Sequence, residues 1–149
     1  MAASPYRSTV TIDGTKFDAV SVEVVFSTQR DRAGMPEMGS LQSKIRVWAD
    51  AHDDKNLPHS AIQKFFDLAN VVTRDKIKDM KIEFWKDDAH QDALCSFKFK
   101  GWISAFETSN PANPPDPGDG WRPYLNHALV LDLEPAMNDQ HFQDISISN

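Results

Sequence analysis

The stretch Pro58–Val72, PHSAIQKFFDLANVV, sets how the rest of the chain is read, because it alone has clear helical spacing. Ile62, Phe65, Phe66 and Ala69 recur at i, i+3, i+4 and i+7, which on a helix makes one apolar stripe. Leu68 and Val72 widen the stripe, and Gln63, Lys64, Asp67 and Asn70 are left to water. Ser60 and Gln63 have capping-box spacing, in which the hydroxyl accepts a first-turn N–H and the amide reaches back. Pro58 suits a chain still extended before the first turn. The spacing therefore predicts a helix over about residues 60–72. Two adjacent phenylalanines need an apolar surface to cover, and the flanking sequence supplies one, since nearly all of it reads as β-strand.

Upstream, Tyr6–Ile12 is a β-branched run followed by Asp13-Gly14, a two-residue hairpin signal whose central positions both take positive φ. The return strand is expected from about Lys16 to Gln29, with Val20, Val22, Val24 and Phe26 alternating against polar neighbours. Arg30–Gln42 breaks this pattern with Gly34, Pro36 and Gly39, and is too long for a tight hairpin. It is expected to be an extended excursion. Alternation resumes at Ser43–Ala49, where Ile45, Val47 and Ala49 oppose Lys44, Arg46 and Trp48.

Downstream of the helix, Lys76–Lys86 sets Met80, Ile82 and Phe84 against Lys81, Glu83 and Trp85. Leu94–Thr108 reads as one long strand, or two, broken by a bulge or bend at Gly101. Ser109–Gly120 is a proline-rich surface loop, and Tyr124–Glu134 is a last strong strand with His127, Leu129, Leu131 and Leu133 on one face. The tail 136–149 is expected to add a short edge strand or to await a partner. About seven strands with short connections and one helix favour a mainly β chain, an antiparallel sandwich or barrel with the helix on its side or over one end.

At 149 residues the chain is expected to be a single domain over 1–149. A formal net charge of −6 argues against a nucleic-acid partner, and no apolar run is long enough to insert in a membrane. The N-terminus MAASPYRSTV shows neither a basic start nor an apolar run, so no cleaved secretory leader is expected. Cys95 is the lone cysteine and forms no internal disulfide, which points to synthesis in the cytoplasm.

Catalytic and metal chemistry find little support. Asp50, His52, Asp53 and Asp54, and likewise Asp87, Asp88, His90 and Asp92, have neither the calcium-loop pattern nor zinc spacing. Aspartates also favour turns for local hydrogen-bonding reasons, and that reading outweighs a metal. Cys95 lies mid-strand with no base beside it, and His127 stands on a leucine face as structural histidines do. No catalytic, cofactor-binding or metal residue is nominated, and no cofactor is expected. The surfaces say more. Met35, Met38 and Leu41 make Arg30–Gln42 apolar enough to bury something, whether its own core or a neighbour. Trp48, Trp85 and Trp102 are expected to face outward, on strand faces that a helix or another subunit would cover.

In order and pattern these segments resemble the type VI secretion tube protein family, Hcp or TssD, in particular its divergent branch. The resemblance runs through YRSTVTIDGTKFDAVSVEVVFS, the loop Arg30–Pro36, KIRVWA, SAIQKFFDLAN, KIEFWK, FKFKGWISAFE and HALVLDLEP, from Tyr6 to Pro135. The proline-rich loop is longer than the family norm, and the tail past Pro135 has no counterpart. The resemblance implies a closed two-sheet β-barrel with one helix on its side. It implies a homohexameric ring, rings stacked into a tube inside a contractile sheath, and spike and baseplate proteins as further partners. Effector cargo in the lumen and export without a signal peptide follow from the same likeness, with no catalysis. It places the subunit interface on Arg30, Asp31, Arg32, Gly34, Met35, Pro36, Met38, Leu41 and Trp48. A phage-tail-like tube and a monomeric β-sandwich that binds ligand on exposed tryptophans are the alternatives.

Overall fold

The computed structural model describes residues 6–27, 32–35, 42–51, 53–87, 89–109, 128–136 and 145–148. Among them are eight strands and one α-helix: β1 (Ser8–Ile12), β2 (Thr15–Ala19), β3 (Ser21–Ser27), β4 (Gln42–Asp50), α1 (His59–Ala69), β5 (Lys78–Trp85), β6 (Ala93–Ser109), β7 (Ala128–Pro135) and β8 (Ile145–Ser148). Asp13 and Gly14 hold φ of 49° and 80°, as the two-residue turn requires, and Ile12 stands opposite Thr15. The tail does add an edge strand, β8, paired to β6. The proline-rich loop and His127 lie outside the described residues.

The strand expected from Lys16 to Gln29 is broken at Val20, whose N–H donates to the Trp48 carbonyl at 2.8 Å. The reason is topological. The antiparallel ladder runs β2-β1-β5-β6-β7-β4-β3, so its two outermost strands are consecutive in the chain and joined by Val20 alone. Laid flat, seven strands would hold those edges about 29 Å apart. One residue reaches less than about 4 Å. The sheet must therefore roll up until its ends meet at Val20, which they do without a ladder between β2 and β3.

A second corner lies in β6. Residues 93–101 of β6 pair with β5, and residues 101–109 pair with β7. The strand thus belongs to two sheets, β2-β1-β5-β6-β8 and β6-β7-β4-β3, which change over at Gly101. This glycine does not break the strand. A Cβ there would stand 2.4 Å from the Glu134 carbonyl oxygen, so the residue is small because the β7 backbone passes over it. The register slips further on, between Ile103 and Ala105. Between the sheets, Val10, Ile12, Ile82, Ile45, Val47, Leu129 and Leu131 are wholly excluded from solvent. The architecture is mainly β, an antiparallel two-sheet sandwich rolled towards a barrel, with one helix on its side.

That helix packs where β6 runs on past β5, whose first residue, Lys78, stands opposite Gly101. Phe65 is fully buried, its ring 5.3 Å from Phe17, and Ala61 and Leu68 are buried beside it. The buried stripe is thus Ala61, Phe65 and Leu68, flanked by half-buried Ile62 and Ala69. Phe66 falls outside it, 50% exposed, its ring edge-on to Phe106 of β6 at 5.6 Å. The capping box is not formed. The helix starts one residue earlier, with extended Pro58 at the N-cap and no side-chain cap, so Ser60 is already inside the first turn. It also stops at Ala69, and Val71 beyond it takes φ 53°, a conformation that no β-branched residue carries on into a helix. Lys64 Nζ ties α1 to the first hairpin by donating to the Asp13 carbonyl at 2.8 Å and to Thr15 Oγ1 at 2.9 Å. Among the described residues no helix is long and apolar enough to cross a membrane.

Candidate assembly surface

Four residues of the β3–β4 excursion are described, Arg32 to Met35, and all are exposed. Gly34 holds φ 82°, and a Cβ there would touch nothing, so the backbone conformation and not space calls for glycine. Met35 holds an apolar side chain 63% in solvent, an arrangement that favours a partner surface. Arg30, Asp31, Pro36, Met38 and Leu41 lie outside the described residues.

Trp48 is not an open platform. It stands on the β4 face opposite the core, as the alternation requires, yet only 6% of it is accessible. Ser21 and Val130 are its cross-strand neighbours, and the Arg46 guanidinium stands 5.9 Å above its ring. Arg46 is held there by a two-pronged pair to Asp132, at 2.7 and 3.0 Å. That hydrogen bond pushes the guanidinium further from losing its proton. Trp48 also sits six residues along β4 from the start of that strand, about 20 Å. Trp85 is equally committed, donating Nε1–H to Thr9 Oγ1 at 3.0 Å and stacking on His90. Trp102 is half-buried.

The apolar surface that sequence spacing misses lies at the outer strands. Phe26 belongs to the inward row of β3 with Val22 and Val24, but is 42% exposed, and among the described residues β3 ends the ladder. Its ring leans on Phe97 of β6 at 6.1 Å, and Phe97 meets Phe84 edge-on at 5.7 Å. Opposite Phe97 on β8, Ile147 is 64% exposed. Val25, on the outward row of β3, is 38% exposed on the other face of the strand. An outer strand that carries such side chains invites pairing.

The aspartate-rich stretches act as turns. The Asp87 carboxylate accepts the backbone N–H groups of Gln91 and Asp92, and Asp53 accepts that of Asn56. Those bonds, the Asp92 one foremost, hold Asp87 below the usual carboxylate range. Among the described residues no group of three or more His, Cys, Asp or Glu side chains converges as a metal site would need. His52 and Asp88 lie outside the described residues. Cys95 is half-buried in β6.

The fold recurs in two solved structures. Hcp1 from Flavobacterium johnsoniae aligns over 96% of this chain and 95% of its own at 13% identity and a TM-score of 0.60. A second, titled as an Hcp protein, aligns over 95% and 96% at 7% identity and a TM-score of 0.54. The chain has the Hcp fold. At these identities the likeness is one of backbone path, and it spans nearly the whole of each chain. No protein-family model matches the sequence, and no curated protein matches it.

Proposed function

We propose that this protein is a structural tube subunit of a type VI secretion system, without catalytic activity. Six copies form a ring, and rings stack into a tube that a contractile sheath propels, with spike and baseplate proteins as further partners. The lumen carries small effectors, and the tube leaves the cell by its own machine. The observation that carries this reading is the Hcp fold, matched over 96% of the chain. The exposed apolar side chains at Met35, Val25, Phe26 and Ile147 agree with it, since a subunit that closes a ring needs such surface on two sides. The interface is expected on the excursion, Arg30, Asp31, Arg32, Gly34, Met35, Pro36, Met38 and Leu41.

Trp48 belongs to the same expected interface, to which it offers little surface of its own at 6% accessible. Two tryptophans weigh against the ligand-binding alternative, because Trp48 is covered and Trp85 is bonded within the chain.

Light scattering after gel filtration is the direct test. It is expected to find particles about six times the 16.8 kDa of one chain, or stacks of them, and annuli under the electron microscope. A monomer at every concentration would overturn the reading.

A further inference from the structure

The turn between β5 and β6 carries a second device. We propose that His90 is a pH-responsive clasp on the segment entering β1, tightened when its imidazole is protonated and slackened when it is neutral. The proposal does not rest on the tube reading.

The ring is placed by contacts that do not depend on its charge. His90 holds φ 56° at the tip of the turn that the Asp87 carboxylate organises. It lies flat on Trp85, with centroids 5.2 Å apart and planes 8° from parallel. Trp85 is fixed in turn, since its Nε1–H donates to Thr9 Oγ1, and the Thr9 hydroxyl donates to Asp18 Oδ1 at 2.9 Å. Asn56 pins Asp18 from the opposite side, accepting its N–H and donating to its carbonyl, both at 2.7 Å.

The two ring nitrogens meet different partners. Nε2 lies 2.7 Å from the Tyr6 carbonyl oxygen. A carbonyl only accepts, so Nε2 carries the hydrogen whenever this bond exists. In the neutral ring Nδ1 is then bare. It stands 3.9 Å from Asp18 Oδ1, which also only accepts when ionised. The neutral form therefore turns a lone pair towards a carboxylate. A proton on Nδ1 replaces that opposition with attraction and puts a cation on the face of an indole. Both nitrogens are satisfied only in the charged ring.

The charged groups that face this corner are carboxylates. Asp18 faces the ring from β2, Asp87 from its own turn, and Asp50 and Asp53 approach Tyr6 from the end of β4 and the loop beyond. The Tyr6 phenol, pushed up by burial and then by Asp50, Asp53 and Asp18, feels the same negative field. The cations nearest in the chain, Arg7 and Lys86, are exposed. What the clasp holds is the lead into β1, through the Tyr6 carbonyl and, one residue on, through Trp85 N–H donating to the Arg7 carbonyl at 2.9 Å. Histidine changes charge between about pH 5 and 8, so the hold varies across the physiological range.

Two readouts on the full chain test this. An imidazolium stacked on an indole quenches it, so tryptophan emission should fall on acidification from pH 8 to about pH 5.5. His90→Gln, which keeps a donor for Tyr6 but cannot charge, should lose that step, and His59→Gln should keep it. In thermal melts the deficit of His90→Gln should be on the order of 3 °C at the acid end and close to nothing at pH 8. Asp18→Asn should flatten the same dependence while leaving the Thr9 hydroxyl an acceptor. An emission step that survives in His90→Gln, or a melting deficit equal at both pH values, would overturn the proposal.

Discussion

Gly101 shows how much one missing methyl group can settle. Its neighbours alternate as in any strand, and the β7 backbone, with the Glu134 carbonyl oxygen 2.4 Å from where a Cβ would be, makes every other residue too large. Both sides of that contact are sheet backbone, with no flexible side chain to yield. Gly101→Ala should therefore cost about 1–3 kcal/mol in urea unfolding, through strain. Phe65 and Phe66 are adjacent and chemically identical, yet their environments differ. Phe65→Ala leaves a cavity against Phe17 and should cost about 3–5 kcal/mol. Phe66→Ala loses an exposed edge-on pair with Phe106 and should cost about 1 kcal/mol. Equal losses would show that the helix is seated on a different face.

At the scale of elements, periodicity found nearly every segment. The inward rows Val10–Ile12, Ile45–Val47, Met80–Ile82, Phe97–Phe99 and Leu129–Leu133 are all legible as alternation, because each strand has one face in the core. What alternation cannot carry is which strand ends the ladder. Val20 interrupts no pattern, and Phe26 looks like any core phenylalanine, because exposure at an outer strand depends on a neighbour that is missing. The helix stripe was legible to within a turn, but its ends depended on Pro58 and on the positive φ of Val71, neither of which periodicity reports. Of the candidate interface, the break in alternation at Arg30–Gln42 was legible and the covering of Trp48 by the Arg46–Asp132 pair was not, since that pair joins strands 86 positions apart. The β5–β6 turn has its own test. Asp87 is held in its charged form by backbone N–H groups, so its contribution is whole above the ordinary aspartate range near about pH 4 and is lost as pH falls through and below it. Asp87→Ala should flatten the acid limb of a melting-temperature profile and leave the alkaline limb unchanged. If the acid limb keeps its slope, other carboxylates set it.

For the whole molecule, a rolled sheet still leaves surface to satisfy at β3, β8 and the β3–β4 turn, and a ring is one way to satisfy it. The excursion can be separated from the fold itself, because Gly34 is exposed and a Cβ there would have nothing within 4 Å. Gly34→Val with Pro36→Ala should lower particle mass in light scattering by more than the backbone strain at position 34 lowers the monomer's urea midpoint. Rings at wild-type concentration would show that the excursion is not the contact. Charge adds an independent constraint. Each chain has a formal net charge of −6, so six copies in the proposed ring would repel one another, and the apolar contacts proposed at Met35, Phe26 and Ile147 would have to outweigh that repulsion. Screening falls on the long-range repulsion first, since the Debye length drops from roughly 20 Å near 20 mM salt to under about 5 Å near 0.5 M. Assembly should therefore strengthen with salt, giving a larger ring fraction at the higher concentration. An interface held mainly by ion pairs would show the reverse, and dissociation on adding salt would move the contact from the apolar seam to the charged faces of the sheets.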